Sequence, residues 1–343
     1  MFIPRSDMDH HRGSPDHVAT GEKKRHSIAK FLLKLGISCV LLGLILWRVP
    51  LTDIGAHLRS FGAGILLAAI GLSLVQWGIA AVRLWCLLPE FRYRDLLHAT
   101  FVAKFYGTIL PGQVAGDVVK AYRLGRQSDR AGHAEAATAV DRGVGLFALF
   151  IISAIAALHS AHLPLPLRLF FVCGVIAMAA CGVAASSRLF RLGVVDGFLS
   201  RRHGRIGTFL HDFSIALHNC MRRPLALIAA MVPAILFHAA CVWMQVLLGD
   251  SLGIRLSWSD WTCVYAGISL LMVLPVSVAG LGLREGGYVG LLALFGYEAG
   301  VALSLSFAVF GVSLAGAVLG GALELVTALR RAEAAPKRGK SSN

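Results

Sequence analysis

Six apolar runs, each long enough to cross a membrane as a helix, constrain the fold of this chain more than any other feature. About 20 helical residues span the roughly 30 Å of hydrocarbon in a bilayer, where the backbone must satisfy its own hydrogen bonds. The chain is 56% hydrophobic and 15% charged, which excludes a soluble fold. The sequence therefore predicts an all-α, polytopic membrane protein with about six spanning helices. The runs lie near 31–48, 62–82, 137–158, 167–186, 224–248 and 299–328.

Two further apolar stretches, near 95–116 and 261–296, contain nearly the same short phrase. It reads Leu-Pro-Gly-Gln-Val-Ala-Gly from Leu110 and Leu-Pro-Val-Ser-Val-Ala-Gly from Leu274. Pro and Gly break helices, and a break inside hydrocarbon is tolerated only where the freed backbone groups are buried in protein or line a polar cavity. We predict a re-entrant or broken helical hairpin in each stretch, with two crossings as the alternative for 261–296. The predicted break residues are Pro111, Gly112, Gly116, Pro275, Gly280 and Gly282.

Basic residues are concentrated on one side of the topology that these segments imply. With the six runs as crossings and both stretches as hairpins, 25 of the 33 basic residues fall in segments assigned to the cytoplasm, the side that Lys and Arg favour. Each half then has the order span, span, hairpin, span, and the second half begins on the opposite face. This order predicts an inverted repeat with halves at about 30–160 and 165–330.

The same topology places both termini in the cytoplasm of a bacterial cell, with the protein in the inner membrane. We expect a single transmembrane domain over 30–330, flanked by basic tails at 1–29 and 331–343, the first of them disordered. The net charge of +14 is then an orientation signal that also attracts anionic phospholipid headgroups. Nothing in the sequence indicates a nucleic-acid partner.

Known catalytic and cofactor motifs are absent from the sequence. It contains no P-loop, GxSxG, HExxH or Rossmann fingerprint. The seven Cys form no CxxC pair and the 13 His lack metal-binding spacing. We therefore predict no catalytic residue, no metal and no cofactor, although a membrane-embedded transferase remains compatible with these absences.

Ionisable residues near the two breaks are the candidate substrate-binding groups, because a charge in hydrocarbon is costly unless it is paired or faces water. Asp117, Lys120 and Arg123 follow one another at spacings of three, so on a helix they would share a face, and the two cationic groups suit a phosphate. Interfacial anchoring is the alternative for all three, and stabilisation of a helix N-terminus is the alternative for Asp141. Glu324 suits either a proton relay or an ion pair. The candidates are Lys104, Asp117, Lys120, Arg123, Asp141, Arg142, Arg284 and Glu285.

Three strings of the sequence, at 104–123, 141–146 and 274–286, resemble the lysylphosphatidylglycerol synthase transmembrane-region family, also described as flippase-like membrane proteins. The similarity extends over most of residues 30–330. In that family the membrane region of the full-length synthases is associated with translocating aminoacylated lipid, while a separate soluble domain attaches the amino acid. Some relatives are linked to hopanoid or polyprenyl-linked glycolipid pathways. The resemblance implies the translocation part without the synthase domain.

The leading expectation is a transporter that moves an amphipathic, phosphate-bearing membrane lipid between leaflets. The two hairpins would form a polar crevice in which Lys120, Arg123 and Arg284 bind phosphate, ordered by Asp117 and Glu285. One alternative is a membrane-embedded, lipid-modifying glycosyltransferase with Asp117 or Glu285 as its base. Another is an accessory subunit of a hopanoid or polyprenyl-glycolipid pathway, whose partners would be lipid-biosynthesis enzymes.

Overall fold

The fold is known from a computed structural model that describes residues 61–109, 114–126, 131–187, 214–274 and 280–334. No strand occurs in these parts of the chain, so the predicted all-α class is confirmed. A short helix at 214–221 precedes α6. The main helices are α1 (Ala63–Leu87), α2 (Tyr93–Ile109), α3 (Val114–Gly125), α4 (Ala131–His159), α5 (Leu165–Ser186), α6 (Pro224–Ser251), α7 (Trp258–Val273), α8 (Leu283–Ala293) and α9 (Ala299–Ala334).

Five of the described helices, α1, α4, α5, α6 and α9, are long and apolar enough to cross a membrane. They coincide with five of the six predicted runs, which confirms a multi-pass membrane protein. The remaining run at 31–48, the tail at 1–29 and the end of the tail at 331–343 lie outside the described residues.

Local sequence signals explain where several helices begin. The Ser257 hydroxyl accepts a hydrogen bond from the Asp260 backbone N–H at 3.1 Å, which caps α7. Pro224 starts α6, where its fixed φ suits the first turn and its missing N–H costs nothing. In the interior, small residues allow close approach, since a Cβ on Gly249 of α6 would come within 2.3 Å of the buried Trp261 ring of α7.

The stretch at 95–116 folds as a helical hairpin, because α2 and α3 pack against each other. Gly116 at the start of α3 lies so close to α2 that an added Cβ would come within 2.2 Å of the Ala103 carbonyl oxygen. The predicted break residue Gly116 is therefore a point of close helix contact. Its neighbours Pro111 and Gly112 lie outside the described residues.

The stretch at 261–296 forms a second helical hairpin from α7 and α8. Gly280 and Gly282 between them have φ of 76° and 80°, a left-handed conformation that glycine adopts without strain. The arm α8 has 11 residues and α3 has 12, so at 1.5 Å per residue each reaches only about 18 Å, well short of the membrane thickness. This length favours a re-entrant hairpin over two crossings at 261–296. Pro275 lies outside the described residues.

Helices α1 to α4 of the first half pack against one another in the same pattern as helices α6 to α9 of the second half. α1 packs against α2 as α6 packs against α7, and α3 packs against α4 as α8 packs against α9. Contacts between the halves follow the same rule, because α2 packs against α9 as α7 packs against α4. The pattern is that of two structurally equivalent repeats.

The equivalent helices α1 and α6 cross each other antiparallel. Gln76 contacts Ala240 and Met244, whereas Arg83, later in α1, contacts Phe237, earlier in α6. Two equivalent helices that cross in this way are related by an axis perpendicular to both. In helices that span a membrane, such an axis lies in the membrane plane, as an inverted repeat requires.

One hydrogen bond between α1 and α6 joins two residues that have the same sequence separation as the two phrases. The Gln76 side chain donates from Nε2 to the Ala240 carbonyl oxygen at 3.1 Å, across a separation of 164 residues. Leu110 and Leu274, the first residues of the two phrases, are also 164 residues apart. Gln76 and Ala240 are therefore equivalent positions that touch each other at the axis.

Candidate functional site

A cavity of about 430 Å³, lined by charged, polar and apolar side chains, lies where the two hairpins meet the crossing helices α1 and α6. Both halves of the protein contribute to its wall, and α9 closes one side. A cavity therefore lies between the hairpins, where the sequence predicts a polar crevice. Its charged lining residues in the described chain are Lys104, Asp117, Lys120 and Arg284.

Lys120 and Arg284 occupy equivalent places in the sequence relative to the two phrases. Each lies ten residues beyond the Leu that starts its phrase, Leu110 or Leu274. Both are buried, at 7% and 6% exposure, and both line the cavity. The repeat therefore presents one cation from each hairpin to the same space.

In the first half, three cations surround two carboxylates; we call this group the first ion cluster. Asp141 on α4 accepts hydrogen bonds from Arg83 Nε at 2.6 Å and Nη2 at 3.1 Å. Lys120 Nζ lies 3.5 Å from Asp141 Oδ2 and 3.4 Å from Asp117 Oδ1. Arg142 donates a hydrogen bond to the other Asp117 oxygen. The cluster joins α1, α3 and α4 and has one cation in excess.

Arg83 belongs to this cluster although it was not among the predicted site residues. The topology derived from the sequence groups it with the cytoplasmic loop, because it follows the apolar run at 62–82. The structure places it inside α1 with its side chain 11% exposed. A single Arg within a helix of spanning length was the signal that pointed to a buried partner.

In the second half, Glu285 holds Arg284 in place. Arg284 donates to Glu285 Oε1 from Nη2 at 2.6 Å and from Nε at 3.1 Å, and Nε also lies 3.1 Å from the Ser306 hydroxyl on α9. The other Glu285 oxygen accepts the Gly282 backbone N–H at 2.6 Å, which caps α8. Glu285 is fully buried and is not part of the cavity wall. Its position is that of a residue that orients Arg284.

Lys104 on α2 lines the cavity without a counter-charge. Its Nζ lies 5.8 Å from the centre of the Trp77 ring, and within the described chain no carboxylate comes within ion-pair distance of it. Two further polar groups in the wall lack hydrogen-bond partners among the described residues: the Tyr288 hydroxyl and the Gln245 side-chain oxygen. The cavity thus contains an unpaired cation and an unused hydroxyl donor.

Arg123, which was predicted to bind phosphate, is placed elsewhere. It forms an ion pair with Glu324 on α9, and neither residue lines the cavity. Glu324 therefore forms the ion pair that was one of its two alternatives. The remaining candidates, Asp141 and Arg142, lie behind the wall as members of the first ion cluster.

Metal ligands do not come together in the described parts of the chain. No group of three or more His, Cys, Asp or Glu side chains there has a geometry that could hold a metal ion.

The comparison with protein-family models agrees with the resemblance in the sequence. No curated protein matches the chain. The family model described as Lysylphosphatidylglycerol synthase TM region matches residues 31–321, which include both hairpins and all the residues of the cavity wall. The chain therefore belongs to the lysylphosphatidylglycerol synthase TM region family.

Proposed function

We propose that this protein moves an amphipathic, phosphate-bearing lipid between the leaflets of the bacterial inner membrane. Its family indicates a membrane protein of lipid modification or transport. The observation that carries the more specific proposal is the position of the cavity, between two hairpins that belong to inversely related repeats. In such folds, a site at the repeat interface opens to one side and then to the other as the repeats move.

The composition of the cavity wall supports a lipid headgroup as the substrate. Three cations, Lys104, Lys120 and Arg284, face the cavity with only one described carboxylate, Asp117. Cationic side chains bind phosphate oxygens with short, charge-assisted hydrogen bonds. The lipid tails would remain in the bilayer while the headgroup crosses through the polar space.

The alternative of a lipid-modifying glycosyltransferase needs a carboxylate that can act as a base. A general base must come within hydrogen-bond reach of the substrate proton. Glu285 is fully buried, outside the cavity wall and bonded to Arg284 and Gly282. Asp117 does line the cavity, but both of its oxygens are engaged by Lys120 and Arg142. These contacts favour transport over group transfer.

Reconstitution tests the proposed transport. In liposomes that contain the purified protein and no nucleotide, fluorescent phosphatidylglycerol of the inner leaflet should become accessible to dithionite. The fraction of fluorescence that dithionite quenches should therefore rise from the fraction of label in the outer leaflet towards the whole. Arg284→Gln should abolish this increase, because it removes the second-half cation from the cavity. Arg255→Gln, which alters an exposed arginine outside the cavity, serves as the matched control and should leave transport unchanged.

The same experiment separates the two functions. Mass spectrometry of the recovered lipids should show an unaltered product. A chemically modified lipid that depends on Asp117 would contradict the transport proposal and support the transferase.

We also propose that the first hairpin opens to the cytoplasm. The ends of its two arms, Arg94 and Arg126, are both exposed and lie at the same end of the hairpin, opposite to Arg255. In a Cys-free background, single Cys residues replacing Arg94 and Arg126 should both resist an impermeant maleimide in intact cells. A Cys replacing Arg255 should react without permeabilisation. Labelling of only one hairpin end would rule out a re-entrant first hairpin.

A further inference from the structure

We infer that the cavity selects a lipid headgroup of net negative charge, bound through its phosphate by Lys104, Arg284 and Tyr288, and discriminates against a lysine-bearing headgroup. This inference rests on the proposed function and names the substrate class of the same site. It departs from the substrate that the family's name suggests, because it follows from the charges of this chain.

The first step is the unpaired Lys104. Lys104 is half-buried, and a cation away from bulk water is costly unless a partner compensates its charge. The Trp77 ring lies 5.8 Å from Nζ and offers only a weak electrostatic contact. Arg284 lines the same cavity and acts on Lys104 with a like charge. The counter-charge of Arg284, Glu285, lies outside the cavity wall, and Lys104 has no ion-pair partner among the described residues, so this part of the wall favours an anion.

The second step is the donor set beside Arg284. Glu285 and Ser306 engage Nε and Nη2, so these bonds leave Nη1 for a ligand. Tyr288 lies one helical turn further along α8, on the same face as Arg284. Tyr288 is one of the residues of the cavity wall, and its buried hydroxyl has no hydrogen-bond partner among the described residues. Arg284, Tyr288 and Lys104 can therefore donate to the oxygens of one phosphate.

The third step is the absence of a free carboxylate for a cationic headgroup. Asp117 is the acidic residue of the described cavity wall, and its two oxygens are already bonded to Lys120 and Arg142. A lysyl ammonium would have to displace one of these cations while lying close to the others. Unpaired charges and like-charge contacts of this kind are how binding sites reject a competing ligand.

Binding of short-chain lipids to the purified full chain in detergent tests the inference. We expect isothermal titration calorimetry to show that dihexanoylphosphatidylglycerol binds at least about tenfold more tightly than its lysyl ester, the ratio that one compensated charge contact supports. Lys104→Gln should weaken phosphatidylglycerol binding by about tenfold, and it should reduce the ratio of the affinity for phosphatidylglycerol to the affinity for the lysyl ester. Tyr288→Phe, which keeps the ring, should weaken it by less than Lys104→Gln does. Arg255→Gln should leave both affinities unchanged.

Three outcomes would overturn the inference: equal affinity for the two lipids, unchanged phosphatidylglycerol affinity in Lys104→Gln, or inorganic phosphate binding as tightly as the lipid. The last would identify a soluble phosphate as the ligand. Lys104→Gln is expected to fold, because it removes a half-buried charge that has no ion-pair partner among the described residues. The assay measures binding alone, so selective binding without transport in liposomes would contradict the proposed function and leave the headgroup preference standing.

Discussion

Glu285→Gln is expected to lower the free energy of unfolding by roughly 3–5 kcal/mol, the cost of leaving one member of a buried ion pair without its counter-charge. Arg284 is 6% exposed and Glu285 is fully buried, so the lost carboxylate lies away from bulk water. The substitution also weakens the bond to the Gly282 N–H that starts α8. The second hairpin should therefore lose both its ion pair and its helix cap.

Thermal unfolding of the detergent-purified protein measures this effect. Glu298→Gln removes an exposed glutamate from the loop before α9 and serves as the control, with little change expected. The double variant Arg284→Met with Glu285→Gln removes both charges and should recover much of the lost stability, because no uncompensated charge remains. It should still fail to transport lipid. A Glu285→Gln protein with wild-type stability would show that Glu285 does not brace Arg284.

The spans and the hairpins could be predicted because they depend on local properties of the sequence. The length of an apolar run determines whether a helix can cross the bilayer. The Pro and Gly residues within a shorter apolar stretch mark the region where its helix breaks: Gly116 lies in the first turn of α3 at a close helix contact, and Gly280 has the left-handed backbone of the turn before α8. Their equal spacing to Lys120 and Arg284 was also visible in the sequence.

The roles of the charged residues could not be predicted in the same way, because they depend on contacts between distant helices. Arg123 and Lys120 lie one turn apart on α3, yet Arg123 meets Glu324 of α9 while Lys120 faces the cavity. Glu285 follows Arg284 directly, but only the contact with Ser306 of α9 shows that it lies behind the wall. Helix spacing identifies which residues share a face and leaves open which helix covers that face.

The first ion cluster gives a second large expected effect, on Asp141→Asn. Asp141 is 3% exposed and compensates two cations, Arg83 and Lys120. Loss of its charge leaves both cations buried with only Asp117 nearby, and Asp117 is already shared with Arg142. We expect a loss of at least about 3 kcal/mol in the free energy of unfolding, as for other broken buried pairs.

The ordering among variants distinguishes this explanation from a general loss of packing. Arg83→Gln should cost less than Asp141→Asn, because Asp141 would keep Lys120 as its partner and no excess cation would be created. Asp250→Asn, which removes an exposed carboxylate at the end of α6, should have little effect. Thermal unfolding midpoints and the amount of each variant in the membrane give the ranking. If Arg83→Gln were the more damaging change, the packing of its long side chain against Phe237 would matter more than its charge.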